Sequence, residues 1–476
     1  MPAKARCHLT MRRFGSTSTE RLGGVTRRRG PRWIAPLAAA ALGTLAPATA
    51  SAHNISGKLD SPLPFVAYIV GAAVAVAASF ILVAVRDPGP PRDPAPLARR
   101  EVPLALRTTL RAIGLLAWSW IALQTLAGGS SDADVASLFL WVFGWIALAM
   151  ASALLGPVWS WLDPFSTLHD LGAQGLRVLH VQGIAAQPYP ARLGRWPAIA
   201  GFGFFVWLEL VAKVVQGRLL GVVLLLYTLL TLLGMAQYGR DAWRAQGETF
   251  TTWFGLLGRL APFGLAGTPE AGQVHRRPFA SGLMGADWPT ALVALAALGV
   301  GSILFDGLSQ TKPFFDLFQL PAIPLGTLLL AIFLGGLVLL VGRQVGLAAM
   351  GAGLVPVAVG YLVAHYLGAL LVDGQRIFIA VSDPFQQGWD LLGTAFWSPR
   401  TDWLPTGVIW AVQVAAVVTG HIVGAWTGHS AIRAEAGRRG PNAKPVSQLP
   451  LALLMIGLTV ATLWSLGQNL VFETVK

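Results

Sequence analysis

Apolar stretches of about 20 residues, the length of helix that crosses a bilayer core, recur along this chain between charged or turn-forming positions. They fall at 65–85, 104–127, 135–157, 196–214, 219–237, 285–304, 323–342, 345–371, 405–430 and 449–470. Backbone polar groups in hydrocarbon must be satisfied within their own segment, so each stretch predicts a helix. The pattern therefore predicts an all-α fold, a polytopic transmembrane helical bundle of about ten spans.

An earlier apolar run has a different character. Arg27-Arg28-Arg29 and Arg32 precede an apolar core at 33–45, and small residues follow up to Ala50-Ser51-Ala52. That order is a secretory signal peptide with a long basic n-region, so residues 1–52 are expected to be removed. The mature chain, 53–476, would be a single integral membrane domain starting at His53. A terminal histidine offers a metal both its amine and its imidazole.

Composition agrees with this plan. The chain is 54% hydrophobic and 12% charged, against roughly 25% charged for soluble domains. Its net charge of +13 includes +8 from residues 1–52, which leaves +5 for the remainder. That remainder is concentrated in alternate loops, including Arg86, Arg99, Arg100, Arg177, Arg195, Arg240, Arg244, Arg276, Arg277, Arg433 and Arg438. Such asymmetry places these loops in the cytoplasm and the mature N-terminus outside, in a bacterial cytoplasmic membrane. No basic cluster interleaved with stacking aromatics marks a nucleic-acid surface. The bilayer is the expected partner.

The only cysteine, Cys7, lies in the expected leader. A mature chain without thiols would hold metal only through histidine, carboxylate or backbone oxygen. Loops 158–195 and 238–284 are expected to be cytoplasmic with short amphipathic pieces, and 373–404 to be an external interfacial segment. Asp163-Pro164-Phe165 with Asp170, and Asp383-Pro384-Phe385 with Asp390, hint at inverted halves over 65–237 and 285–470.

Ionisable groups at membrane depth are costly and mark candidate sites. Glu209 falls in the fourth span with Lys213 one turn on, where an ion pair accounts for both. His365, between Tyr361 and Tyr366, falls in the outer third of the eighth, and His421 lies deep in the ninth. Asp306 and Asp373 fall at the external ends of the sixth and eighth. With His53, Asp60 and Asp383, these groups concentrate oxygen and imidazole donors on the external face, which suits zinc or copper. Gly420, Gly424 and Gly428 form a small-residue seam for close helix approach. His429, about 12 Å along the helix from His421, is expected at the cytoplasmic surface. No G-x-S-x-G elbow, H-E-x-x-H pair or phosphate-cradling glycine loop occurs.

Several segments carry a family likeness. They are His53-Asn54-Ile55-Ser56-Gly57-Lys58-Leu59-Asp60-Ser61-Pro62, residues 189–197, Phe305-Asp306-Gly307, Asp383-Pro384-Phe385 with Gly388-Trp389-Asp390-Leu391, and Gly420-His421 with Gly424. Through them the chain resembles the fenitrothion hydrolase-like family of polytopic bacterial membrane proteins; Asn54 and Ser61 depart from its pattern. The resemblance implies metal-assisted hydrolysis of a small apolar phosphotriester or thiophosphotriester at the external face. It would use His53, Asp306 and His365 as metal ligands, with Asp373 or Asp383 as base. A secondary transporter or a copper- or zinc-handling membrane protein is the alternative class, and a scaffold for a second membrane subunit a third.

Overall fold

The computed structural model describes residues 64–86, 99–127, 136–439 apart from single positions, and 446–467. The expected leader, His53 and Asp60 lie outside the described residues. In chain order the helices are α1 (Phe65–Arg86), α2 (Leu104–Ala127), α3 (Leu138–Leu155), α4 (Trp159–Leu162), α5 (Pro164–Val178), α6 (Trp196–Leu210) and α7 (Gly217–Tyr238). They continue with α8 (Arg240–Gln246), α9 (Thr249–Gly258), α10 (Thr290–Ser309), α11 (Lys312–Val345), α12 (Leu347–Val372), α13 (Arg376–Ser382), α14 (Thr406–Arg439) and α15 (Leu449–Leu466). The architecture is all-α.

Among the described residues eight helical stretches are long and apolar enough to cross a membrane: α1, α2, α3, α7, α10, the run from α12 through α13, α14 and α15. The expected fourth span is the shorter apolar helix α6, which ends at Leu210. The expected seventh lies within α11. The sixth begins at Thr290 rather than 285, because Pro289 opens α10 with extended backbone.

The closest packing joins α12 and α14 through the glycine seam. An added Cβ on Gly420 would lie 2.7 Å from the Pro356 carbonyl oxygen, and one on Gly424 2.5 Å from that of Gly353. On the facing helix, a Cβ on Gly360 would lie 2.6 Å from the Ala416 carbonyl oxygen. Only residues without a side chain let the two backbones touch, and dispersion contacts then replace lipid contacts.

The first ten residues of α3, Leu138–Ala147, are wound as a π-helix. Trp141 and Trp145 of this segment point inward: Trp141 Nε1 donates to the Val215 carbonyl at 2.8 Å. Trp145 packs against Phe202, Phe205 and Trp253.

One end of the bundle carries a small antiparallel sheet with strand order β1 (Arg99–Glu101), β3 (Gln273–Arg276), β2 (Phe263–Leu265). Arg99 pairs with His275 and Phe263 with Arg276. Loops around 99 and 270, which charge alone assigned to one side, are thus joined at one end. At the opposite end, Gln124 Nε2 donates to the Pro384 carbonyl at 2.9 Å, tying the last turn of α2 to the 373–401 connection. That connection exposes Phe385, Trp389, Leu391, Leu392, Phe396 and Trp397, as an interfacial segment would.

Helix α9 corrects an expectation. The 238–284 connection was read as a cytoplasmic loop with short amphipathic pieces, yet Phe250, Trp253, Phe254, Leu256 and Leu257 of α9 are all buried. At ten residues it is too short to register as a span, but it is apolar nearly all round. It packs against α3 and α6, with the rings of Trp253 and Phe202 4.6 Å apart.

Candidate functional site

Asp306 sits in the last turn of α10, and it is only 7% exposed. It is enclosed because α12 lies against it. His365 Nε2 approaches Asp306 Oδ2 to 2.9 Å, and the Tyr366 hydroxyl donates to the same oxygen at 3.0 Å. Gln310 Nε2, just past the end of α10, donates to Oδ1 at 2.8 Å. Both carboxylate oxygens are therefore engaged, as burial of a charge requires. The site is not sealed: the His365 and Asp306 side chains remain 18% and 10% exposed.

Gly307 packs beside the cluster. A Cβ there would lie 3.1 Å from Ser465 Oγ and 3.6 Å from His365 Nδ1. The buried Trp145 indole lies beside the Tyr366 phenol without a well-formed hydrogen bond to it. Glu209, in the last turn of α6, is within electrostatic reach of the same phenol; its presumed companion Lys213 lies outside the described residues.

The remaining sequence-derived residues are not part of this cluster. Asp373 pairs with Arg376 at 3.3 Å, three residues on in the next turn. Asp383 closes a turn, its two oxygens accepting from the Gln387 and Gly388 amides at 2.8 Å each. The two Asp-Pro-Phe segments have different local structures, since Asp163 instead opens α5, accepting from the Phe165 and Ser166 amides. His421 is fully buried, its Nδ1 2.9 Å from the Val417 carbonyl and its Nε2 without a hydrogen-bond partner. His429 corrects a second expectation: it is 4% exposed, with Nδ1 2.6 Å from Gln448 Nε2. The start of α15 covers it.

A polar network at the sheet-bearing end was not singled out from sequence. Asp163 and Glu248 are both buried and both cap helices, α5 and α9 respectively. Burial pushes both carboxyls up from their ordinary values, and the Asp163 charge raises Glu248 further. Around them Arg244 pairs with Glu270 at 3.1 Å, while Arg240 bridges Asp170 and Glu270. Arg111 completes the cage on Asp170. Burial alone would raise Asp170, but the Arg111 hydrogen bond with the Arg240 and Arg111 charges holds it below the ordinary aspartate value. The available signal was the alternation of Arg and Asp or Glu over 240–248 and at 270, which reads as loop charge until the tertiary contacts are known.

The donor set bears on metal binding. Among the described residues no three His, Cys, Asp or Glu side chains come together as an ion would require. Asp306 and His365 supply two donors, already bonded to each other, where a catalytic zinc takes three protein ligands; His53, the third expected ligand, lies outside the described residues. What the arrangement can do unaided is hold and move a proton at an oriented imidazole. Comparison with protein-family models, curated proteins and solved structures gives no match for this chain.

Proposed function

We propose that this chain is a multi-pass protein of a bacterial cytoplasmic membrane that hydrolyses small apolar phosphotriesters with His365 as general base. In this reading residues 1–52 are removed, ten segments cross, the arginine-rich sheet end faces the cytoplasm and the 373–401 connection faces outward. The positive-inside asymmetry supports that orientation.

The carrying observation is the 2.9 Å contact between His365 Nε2 and Asp306 Oδ2. An ionised carboxylate only accepts, so Nε2 carries the proton and Nδ1 is left as the basic nitrogen. Tyr366 and Gln310 hold the carboxylate in place and so hold the ring. A water at Nδ1 would give its proton to the imidazole as its oxygen attacks phosphorus; the phosphorus–aryloxide bond breaks, and the departing oxygen takes a proton back from the imidazolium. Asp373 and Asp383 are committed to Arg376 and to turn amides and are less available for this step. An apolar ester would arrive by partitioning into lipid.

The test is release of nitrophenol from an aryl phosphotriester by the detergent-purified chain, compared with His365→Gln. Absence of turnover in the wild type, or full turnover in the variant, removes this reading.

Proton-coupled transport is the second reading, favoured by Glu209 lying within reach of Tyr366 and by the unpartnered Nε2 of His421 at membrane depth. It requires pH-gradient-driven flux in proteoliposomes that Asp306→Asn abolishes.

A further inference from the structure

At the sheet-bearing end a cavity of about 70 Å³ opens beside the first two turns of α2. Leu104, Arg107, Thr108 and Arg111 line one wall; spaced i, i+3, i+4 and i+7, they share one face of that helix. The other walls include Asp163 at the head of α5, together with Arg244 and Glu270.

Three guanidiniums thus meet two carboxylates. Glu270 pairs with Arg244 and Arg240, and Arg111 with Asp170. Asp163 turns its oxygens to Ser166 and to the α5 amides. Among the described residues Arg107 has no carboxylate partner, only the Glu270 carbonyl. Arg107 is the side chain with spare capacity. Its Nη1 donates to the Glu270 carbonyl at 2.7 Å, while its buried Nε has no partner. Its guanidinium lies flat on Gly272, where an added Cβ would come within 2.4 Å of Cζ. A buried donor without an acceptor is costly and calls for one. Arg111 and Arg244 likewise have more N–H groups than their ion pairs consume.

Size and depth narrow the occupant. The cavity admits a tetrahedral anion but not a nucleotide. It sits where the apolar span of α2 begins, beside exposed Leu104 and Leu106. Basic pockets between helices at this depth suit phospholipid headgroups.

We propose that the Arg107–Arg111–Arg244 cavity binds a phosphate group, either of an anionic phospholipid headgroup or of free phosphate. The site is independent of the Asp306–His365 centre. The full chain would be placed in phosphatidylcholine nanodiscs with and without phosphatidylglycerol, and bound lipid counted by native mass spectrometry. In parallel, inorganic phosphate would be titrated against chloride at matched ionic strength, with thermal midpoint as readout. Retained phosphatidylglycerol that falls about tenfold in Arg107→Gln, the worth of one charge-assisted hydrogen bond, identifies a headgroup site. Saturable stabilisation by phosphate without lipid retention identifies a free-anion site. If the wild type shows neither, or Arg107→Gln equals wild type in both, the proposal is wrong. The wild-type measurements decide even if the variant does not fold.

Discussion

The Thr427 hydroxyl donates to the Ala352 carbonyl at 2.7 Å, across the seam between α14 and α12. Pro356 lies inside α12, four residues beyond Ala352, and has no N–H to close that turn. In hydrocarbon no water can take the freed acceptor, so a side chain from the neighbouring helix does. Thr427→Val, nearly equal in shape, should lower stability by about 1 kcal/mol. In a Pro356→Ala background, where the helix can satisfy Ala352 itself, the same change should cost much less. Detergent-phase thermal unfolding of the four proteins measures this; equal costs in both backgrounds would refute the pairing.

The glycine seam predicts a contrast. Gly420→Ala drives a methyl to 2.7 Å from the Pro356 carbonyl oxygen and should destabilise by about 1–3 kcal/mol. Gly71→Ala, with nothing within 4 Å of the added carbon, should be neutral or mildly stabilising. Melting curves that rank the two the other way would mean that α12 and α14 are not packed backbone to backbone.

If His365 is the base, its orientation depends on Asp306. Asp306→Asn preserves shape but replaces one of the two acceptor oxygens with an NH2 donor, which permits the other imidazole tautomer. Turnover should fall about 100-fold or more, the usual range for impaired general-base catalysis. KM should change little, since both carboxylate oxygens are already engaged by His365, Tyr366 and Gln310. A loss confined to KM would instead make Asp306 a binding group.

Asp163 gives a pH signature at the sheet-bearing end. Its folded carboxyl is raised from 3.8, burial being the main cause, while the Ser166 hydrogen bonds and the Arg244 charge act against the rise. A raised folded pKa contributes stability that is complete below 3.8 and is lost as pH climbs through the folded value. Asp163→Asn keeps the cap acceptor and removes the titration. Subtracting its midpoint-versus-pH curve from that of the wild type should leave a component that declines with rising pH above about 4. A component rising over that window would overturn the assignment.

Sidedness can be read with single cysteines, because Cys7 is the only native one. Leu391→Cys, at a 63% exposed position, should react with an impermeant maleimide on intact cells. Arg276→Cys, at the exposed end of β3, should react only after permeabilisation. The reverse pattern would invert the bundle and place the Asp306–His365 pair toward the cytoplasm.

Much of the frame was legible in the chain. Long apolar runs became helices because hydrocarbon leaves the backbone no other partner, and the glycine repeat at 420, 424 and 428 became a contact seam because small residues are what permit one. Short elements were harder to read. Helix α9 has too few residues to register as a span, and its burial depends on where α3 and α6 stand. Of the candidate site, the residue types were visible, but the grouping was not. Asp306, Asp373 and Asp383 look alike as carboxylates flanking apolar runs; one is enclosed against an imidazole, one pairs with Arg376 and one ties a turn.

Local chemistry along the chain decided which segments are apolar, which loops are basic and where helices begin and end, since each depends on neighbours within a few residues. Tertiary structure alone decided that Asp306 meets His365 and Tyr366, and that Arg107, Arg111 and Arg244 surround one cavity. Asp306 and His365 are 59 residues apart, and Arg244 is on a different helix from Arg107 and Arg111; only the packing of whole helices brings such positions together.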